Sequence, residues 1–280
     1  MSDYAVANYA DDSTPFSAKL DGTSVVEELE MSSSILFTWL NNNYMKVNTD
    51  KSHFLSSEND KLTANIDGNI IKSEDQHILL GINIDSSLSF NGHISTLCIK
   101  ASAKLNVLAR ISGYMNLTKR RKIMKAFITS QFSYCPLIWM FHSRALNNKI
   151  NSIHERALRI TYKDRTSTFE ELLRKDNSVS IHHKNLQVLA TEMFKIKNKM
   201  SPKILDEIFY EKTSLYNLRQ NSSFFIRKVH SVYHGTESLS FLGPKIWELV
   251  PKDLKQSKSL QIFKNKIKRW EPLDCSGRLC

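Results

Sequence analysis

At 280 residues with 41% hydrophobic side chains, the chain holds enough apolar material for a substantial core, which excludes wholesale disorder. Its 8 glycines and 6 prolines are too few for an all-β protein built on tight turns. A net charge of +11 and a pI near 9.4 point to a polyanionic partner, with nucleic acid or an anionic membrane surface leading.

The first predicted element is a β-hairpin. The run "YAVANYA" is interrupted by "DDS" and resumes as "TPFSA", placing Asp11 and Asp12 at or beside the turn. From Ser24 to Asn43, Val25, Leu29, Ile35, Leu36, Trp39 and Leu40 recur at helical spacing and predict an amphipathic helix. A polar turn leads to a strand ending at Phe54-Leu55. "KLTANIDGNIIKS" then reads as a hairpin with a primed turn at Asp67-Gly68. "HILLGINI" predicts one further strand, Ile78 to Ile84, with Gly81 allowing a bend or a close approach.

Helical periodicity takes over near Asn91. It predicts helices over Ile94–Ile111, Thr118–Gln131, Leu137–Tyr162, Thr168–Lys175 and Ser178–Lys199, punctuated by Gly113 and Pro136. "FFIRKVHSVYHG" suggests a strand pair, "SLSFLGPKIWELVP" a short helix bounded by prolines, and "SLQIFKNKIKRW" a basic amphipathic helix. No stretch approaches the roughly 20 apolar residues of a membrane span, and the first residues do not read as a signal peptide. Cys98, Cys135, Cys275 and Cys280 lack paired spacing and read as reduced thiols, which with the rest predicts a nuclear or cytoplasmic protein.

Asp11 and Asp12 are the strongest chemical signal. At a tight turn both carboxylates can reach one hard cation such as Mg²⁺, whose sites use one or two carboxylates plus substrate phosphates. A second signal is "LTKRRKIMKAF", where Lys119, Arg120, Arg121, Lys122 and Lys125 follow Lys104 and Arg110 and would meet phosphates without sequence preference. His53, His77, His93, His154, His182 and His183 show no metal-ligand spacing and read as surface or core residues. Phe224, Phe225, Tyr233 and Trp247, among basic residues such as Arg227 and Lys228, could stack bases, though core positions suit them better.

Tyr9-Ala10-Asp11-Asp12 resembles the YADD box of reverse transcriptases from non-LTR (LINE-type, jockey-like) retrotransposons. The blocks that follow agree in order. "FTWLNNNYMKVNTDKSHFL" is similar to the next palm block, and the resemblance puts Lys51 near the incoming nucleotide. "HILLGINIDSSLSFNGHI" resembles the primer-grip block, implying that role for Leu80, Gly81, Ile82 and Asp85, with Leu88, Phe90 and His93 also matching. "SYCPLIW", "INSIHERALRITY", "FEELL" and "GPKIWELVP" resemble thumb and post-thumb segments. The resemblance implies an α+β fold: part of a reverse-transcriptase palm over 1–92, a helical thumb over 93–165 and a post-thumb region over 166–280. It implies RNA-directed DNA polymerisation with Mg²⁺ on Asp11 and Asp12, an RNA template and DNA primer as partners, and no small-molecule cofactor. In the family another metal-binding aspartate and the fingers precede the YADD box, whereas Tyr9 stands near the start here, and Asp3, on the same hairpin strand, is misplaced to substitute. The expectation is a C-terminal fragment, inactive alone. The alternative is a non-catalytic, basic nucleic-acid-binding protein derived from such an element.

Overall fold

Two short strands close around a two-residue turn: β1 (Val6–Tyr9) pairs antiparallel with β2 (Asp12–Pro15) in the register Tyr9↔Asp12. The computed structural model describes residues 6–18, 22–57, 61–141, 143–211, 224–226, 228–229, 235–236 and 238–271. Asp3, Arg227, Tyr233, Cys275, Cys280 and half of the expected strand pair over 224–235 lie outside them. Residue contacts divide the α+β chain into two units, Met1–His93 and Ile94–Cys280.

In the first unit, α1 (Gly22–Asn42) packs on β4 (Thr63–Ile66). Its buried residues are Ser32 and Ser33, small enough for close approach, while Met31, Ile35 and Trp39 form an exposed stripe at four-residue spacing. β3 (Phe54–Leu55) lies parallel to β5 (Asn69–Glu74), with Leu55 opposite Glu74, and β4 pairs with β5's other edge. The expected primed turn is present, with Asp67 at φ 51° and Gly68 at φ 80°. The strand expected over Ile78–Ile84 is instead a hairpin of β6 (Gln76–Leu79) and β7 (Ile82–Asp85). Its turn places Leu80 at φ 48° and Gly81 at φ 81°, so Gly81 reverses the chain rather than bending it.

In the second unit, α2 (Asn91–Ile111) buries Ile94, Cys98, Ala101, Leu105 and Leu108 on one stripe. The helix expected over Thr118–Gln131 changes pitch twice: α3 (Leu117–Ile123) runs into a π-helical turn, Met124–Ile128, and then a 3₁₀ turn, Thr129–Phe132. The helix expected over Leu137–Tyr162 is broken into α4 (Pro136–Trp139) and α5 (Arg144–Tyr162). Next come α6 (Phe169–Asp176), α7 (Ile181–Lys197) and α8 (Lys203–Ile208). A reciprocal pair starts α6: Glu171 N donates to Thr168 Oγ1, and Thr168 N donates to the Glu171 carboxylate. After α9 (Leu239–Leu249), with Pro244 inside it rather than bounding it, follow α10 (Lys252–Lys255) and α11 (Leu260–Ile267).

Helices α7, α9 and α11 enclose an aromatic core. Phe194 stacks on Phe263 at 4.4 Å between ring centroids, and Trp247 tilts against both. Phe224 meets Trp247 edge-on at 6.3 Å, so Trp247 and Phe224 are core residues and do not face outward to stack bases. Phe225 is partly exposed and stacks on Tyr210. Of the tryptophans, Trp139, Trp247 and Trp270 are buried, whereas Trp39 on α1 is 56% exposed. Among the described residues no helix is long and apolar enough to cross a membrane.

Candidate functional site

The YADD stretch occupies the tip of the first hairpin. Ala10 sits at φ 52°, a conformation in which a side chain costs about 1–2 kcal/mol. Asp11 completes the turn, Asp12 opens β2, and both carboxylates are exposed. No third His, Cys, Asp or Glu completes a group with them among the described residues. Lys51 stands exposed at the end of the 3₁₀ turn Thr49–Lys51, capped by Asn48, and makes no ion pair with Asp11 or Asp12.

Leu80, Gly81, Ile82 and Asp85 all lie on the β6–β7 hairpin, with Ile82 buried and Leu80 and Gly81 exposed at its tip. Asp85 faces inward along the chain. Its Oδ1 accepts from Ser89 N at 2.9 Å and from the Ser87 hydroxyl, and its Oδ2 accepts from Phe90 N at 2.7 Å. Those bonds hold a loop in which Leu88 and Phe90 both have positive φ. Burial pushes the Asp85 carboxyl up, but the bonds from Ser87, Ser89 and Phe90 outweigh it and hold the group below its ordinary value. Buried His93, the last residue of the first unit, accepts from Asn83 N of β7 at its Nδ1, 3.3 Å away. The matched Asp85 and His93 thus brace the hairpin. Replacing Asp85 by Ala should cost about 1–3 kcal/mol in a urea titration and speed exchange of the Ser89 and Phe90 amides.

The basic cluster divides into unequal parts. Arg120 is buried, and its guanidinium donates to Thr161 O at 2.7 Å, Met115 O at 2.6 Å and Ser112 O at 3.4 Å. It pins the α2–α3 junction to the carbonyl end of α5, where a cation also suits the helix dipole. All this removes Arg120 from the expected phosphate-facing set. Thr118, Arg121, Lys122 and Lys125 share the opposite face and, with Leu117, Tyr162 and Lys175, line an open depression of about 370 Å³. Lys104, Arg110 and Lys119 do not line it.

Beneath this depression lies Asp176, 1% exposed at the end of α6. Arg121 Nε donates to its Oδ1 at 2.5 Å, Arg121 also reaches its backbone carbonyl, and the Tyr162 hydroxyl donates to Oδ1 at 2.9 Å. Lys125 Nζ stands 3.5 Å from Oδ2. Burial pushes the Asp176 carboxyl up, yet the bonds from Arg121 and Tyr162 and the charge of Lys125 hold it below its ordinary value. Lys175 is steadied by Asp164 and by Ser167 Oγ at 2.8 Å. Lys122 is exposed and makes no ion pair with a described residue. The result is a cationic face braced from below by one buried anion. Burial pushes His154 nearby down to about 4, so it stays neutral beside Phe169.

Sequence reasoning located Arg121, Lys122 and Lys125 but not Tyr162, Lys175 or Asp176, which arrive from α5 and α6. It also read His53 and His77 as unrelated. The β3–β5 pairing brings them onto Glu74: His53 Nδ1 lies 2.7 Å from Oε1, His77 Nδ1 lies 3.5 Å from Oε2, and the two rings stack at 4.0 Å. The hydrogen bond from His53 holds the Glu74 carboxyl below its ordinary value. His182 and His183 are neighbours on α7 with ring centroids 6.2 Å apart.

Among known proteins, no family model matches the chain, and neither a curated protein nor a solved structure matches it.

Proposed function

We propose that the chain is the C-terminal part of an RNA-directed DNA polymerase of the non-LTR retrotransposon kind, whose own contribution is to hold the primer–template. The observation that carries this reading is the placing of Tyr9-Ala10-Asp11-Asp12 at a hairpin tip with both carboxylates exposed. The ordered blocks downstream support it. In the parent enzyme Asp11 and Asp12 would hold Mg²⁺, which neutralises charge as a phosphoryl group is transferred. The depression lined by Arg121, Lys122, Lys125 and Lys175 would grip backbone phosphates, and Lys51 and the Leu80–Asp85 hairpin would lie along the nucleotide and primer.

A second reading, a non-catalytic nucleic-acid-binding protein, is favoured by one fact. The basic depression is complete within residues 117–175, without any residue of the hairpin that carries Asp11 and Asp12. Two measurements separate the readings. The chain should bind a primer–template duplex with an affinity that falls steeply with salt, and Lys122→Glu should weaken it and lower the salt slope by about one or two. Binding insensitive to both would remove either reading. Mn²⁺ should broaden backbone resonances around residues 11 and 12, and Asp11→Asn with Asp12→Asn should abolish this. Broadening that is absent leaves only the second reading.

A further inference from the structure

We propose that His53, Glu74 and His77 form a binding site for a divalent transition metal, with zinc as the best match to the donor set. His53 immediately precedes β3, Glu74 ends β5 beside it and His77 lies in β6, so one small unit supplies all three ligands. One donor atom from each of the three lies within 4.8 Å of the others. Two imidazoles and a carboxylate are the donors of borderline ions, whereas Mg²⁺ and Ca²⁺ take oxygen. Three protein ligands leave a fourth tetrahedral position, and the side chains are roughly a third exposed, so that position opens to solvent.

The geometry needs little adjustment. Donors bonded to zinc at about 2.0–2.2 Å in a tetrahedron stand roughly 3.4 Å apart. The spread seen here closes by turning exposed side chains, while the strand pairing Phe54↔Ser73 and Leu55↔Glu74 stays in place. The rings are held nearly parallel, 27° apart, so their nitrogen edges converge on the one carboxylate. A metal ion would join the same three side chains directly, with stronger bonds than the 2.7 Å and 3.5 Å contacts Glu74 now makes with the two rings. The site lies apart from Asp11 and Asp12 in the sequence and is chemically unlike them, and it does not depend on the polymerase reading.

The test uses the full chain without an affinity tag, titrated with Zn²⁺ by calorimetry and with Co²⁺ by visible absorption. One equivalent should bind, with Co²⁺ giving the visible bands of a nitrogen- and oxygen-ligated tetrahedral site. His53→Ala, His77→Ala and Glu74→Gln should each lose at least about tenfold in affinity, and the double histidine variant about a hundredfold or more. Circular dichroism should be unchanged, because all three side chains are at least partly exposed. His182→Ala with His183→Ala should leave the titration as it was. The proposal is overturned if no Zn²⁺ binds at about 100 μM. It is equally overturned if the double variant at His53 and His77 binds like the unaltered chain, or if changing His182 and His183 removes the signal.

Discussion

Replacing Arg121 by Met should destabilise the protein by about 3 kcal/mol at neutral pH, because it leaves the buried carboxylate of Asp176 without its two-pronged partner. The cost stays at the low end of the range for a broken buried pair, since Tyr162 and Lys125 remain beside the carboxylate. The pH dependence gives the sharper readout. In the unaltered chain Asp176 is held below its ordinary value, so its contribution is present above about pH 4 and is lost as pH falls through the lowered value. In the variant, burial dominates and the group moves above its ordinary value, so its ionisation opposes folding as pH rises from about 4. The stability difference between the two proteins should therefore have its full value at pH 7 and shrink as pH falls below about 4 toward the lowered value of Asp176. Urea denaturation at a series of pH values checks this, and a difference that does not vary with pH would contradict it. In the unaltered chain burial lowers the His154 value to about 4, so its contribution is lost as pH falls from its ordinary value of 6.5 to about 4.

Trp247→Ala should cost about 3–5 kcal/mol, the usual penalty for emptying a large aromatic site in a core that cannot collapse. Trp247 is fully buried and touches Phe194, Phe224 and Phe263 from three directions, so no single neighbour can fill the space. Trp247→Phe should cost much less, about 1 kcal/mol. It keeps a ring in place, and it removes an indole N–H that has no hydrogen-bond partner among the described residues. Thermal melts of the two variants check the contrast. Equal losses would mean that the indole itself, rather than its volume, matters.

Much of the fold was legible because local chemistry and the final pairing agree. Asp67-Gly68 supplies the two positive-φ residues a primed turn needs, and the hairpin followed. Leu80 holds an equivalent position at φ 48° with an apolar side chain that carries no turn signal, so the sequence reads as a single strand where the chain forms a hairpin. Met140 to Ser143 contains neither Gly nor Pro, so nothing local announces the break between α4 and α5. In the basic cluster the charges were visible but not their directions. Arg120, Met124 and Ile128 recur at four-residue spacing and are all buried, a pattern present in the sequence that marks Arg120 as the inward member. Tyr162, Lys175 and Asp176 carry no such mark, because 41 to 55 residues separate the chain segments that meet at Arg120 and Arg121. The same applies to His53 and Glu74, 21 residues apart and joined only by parallel strand pairing.

The four tryptophans give the chain a built-in optical division. Trp39 is the one carried by residues 1–93 and it meets water, while Trp139, Trp247 and Trp270 belong to residues 94–280 and are shielded. A collisional quencher such as acrylamide should therefore dim a red-shifted quarter of the emission first and leave a blue-shifted remainder. Each colour then reports on its own half of the molecule, so the unfolding of the two halves can be followed separately in one cuvette without attaching a label.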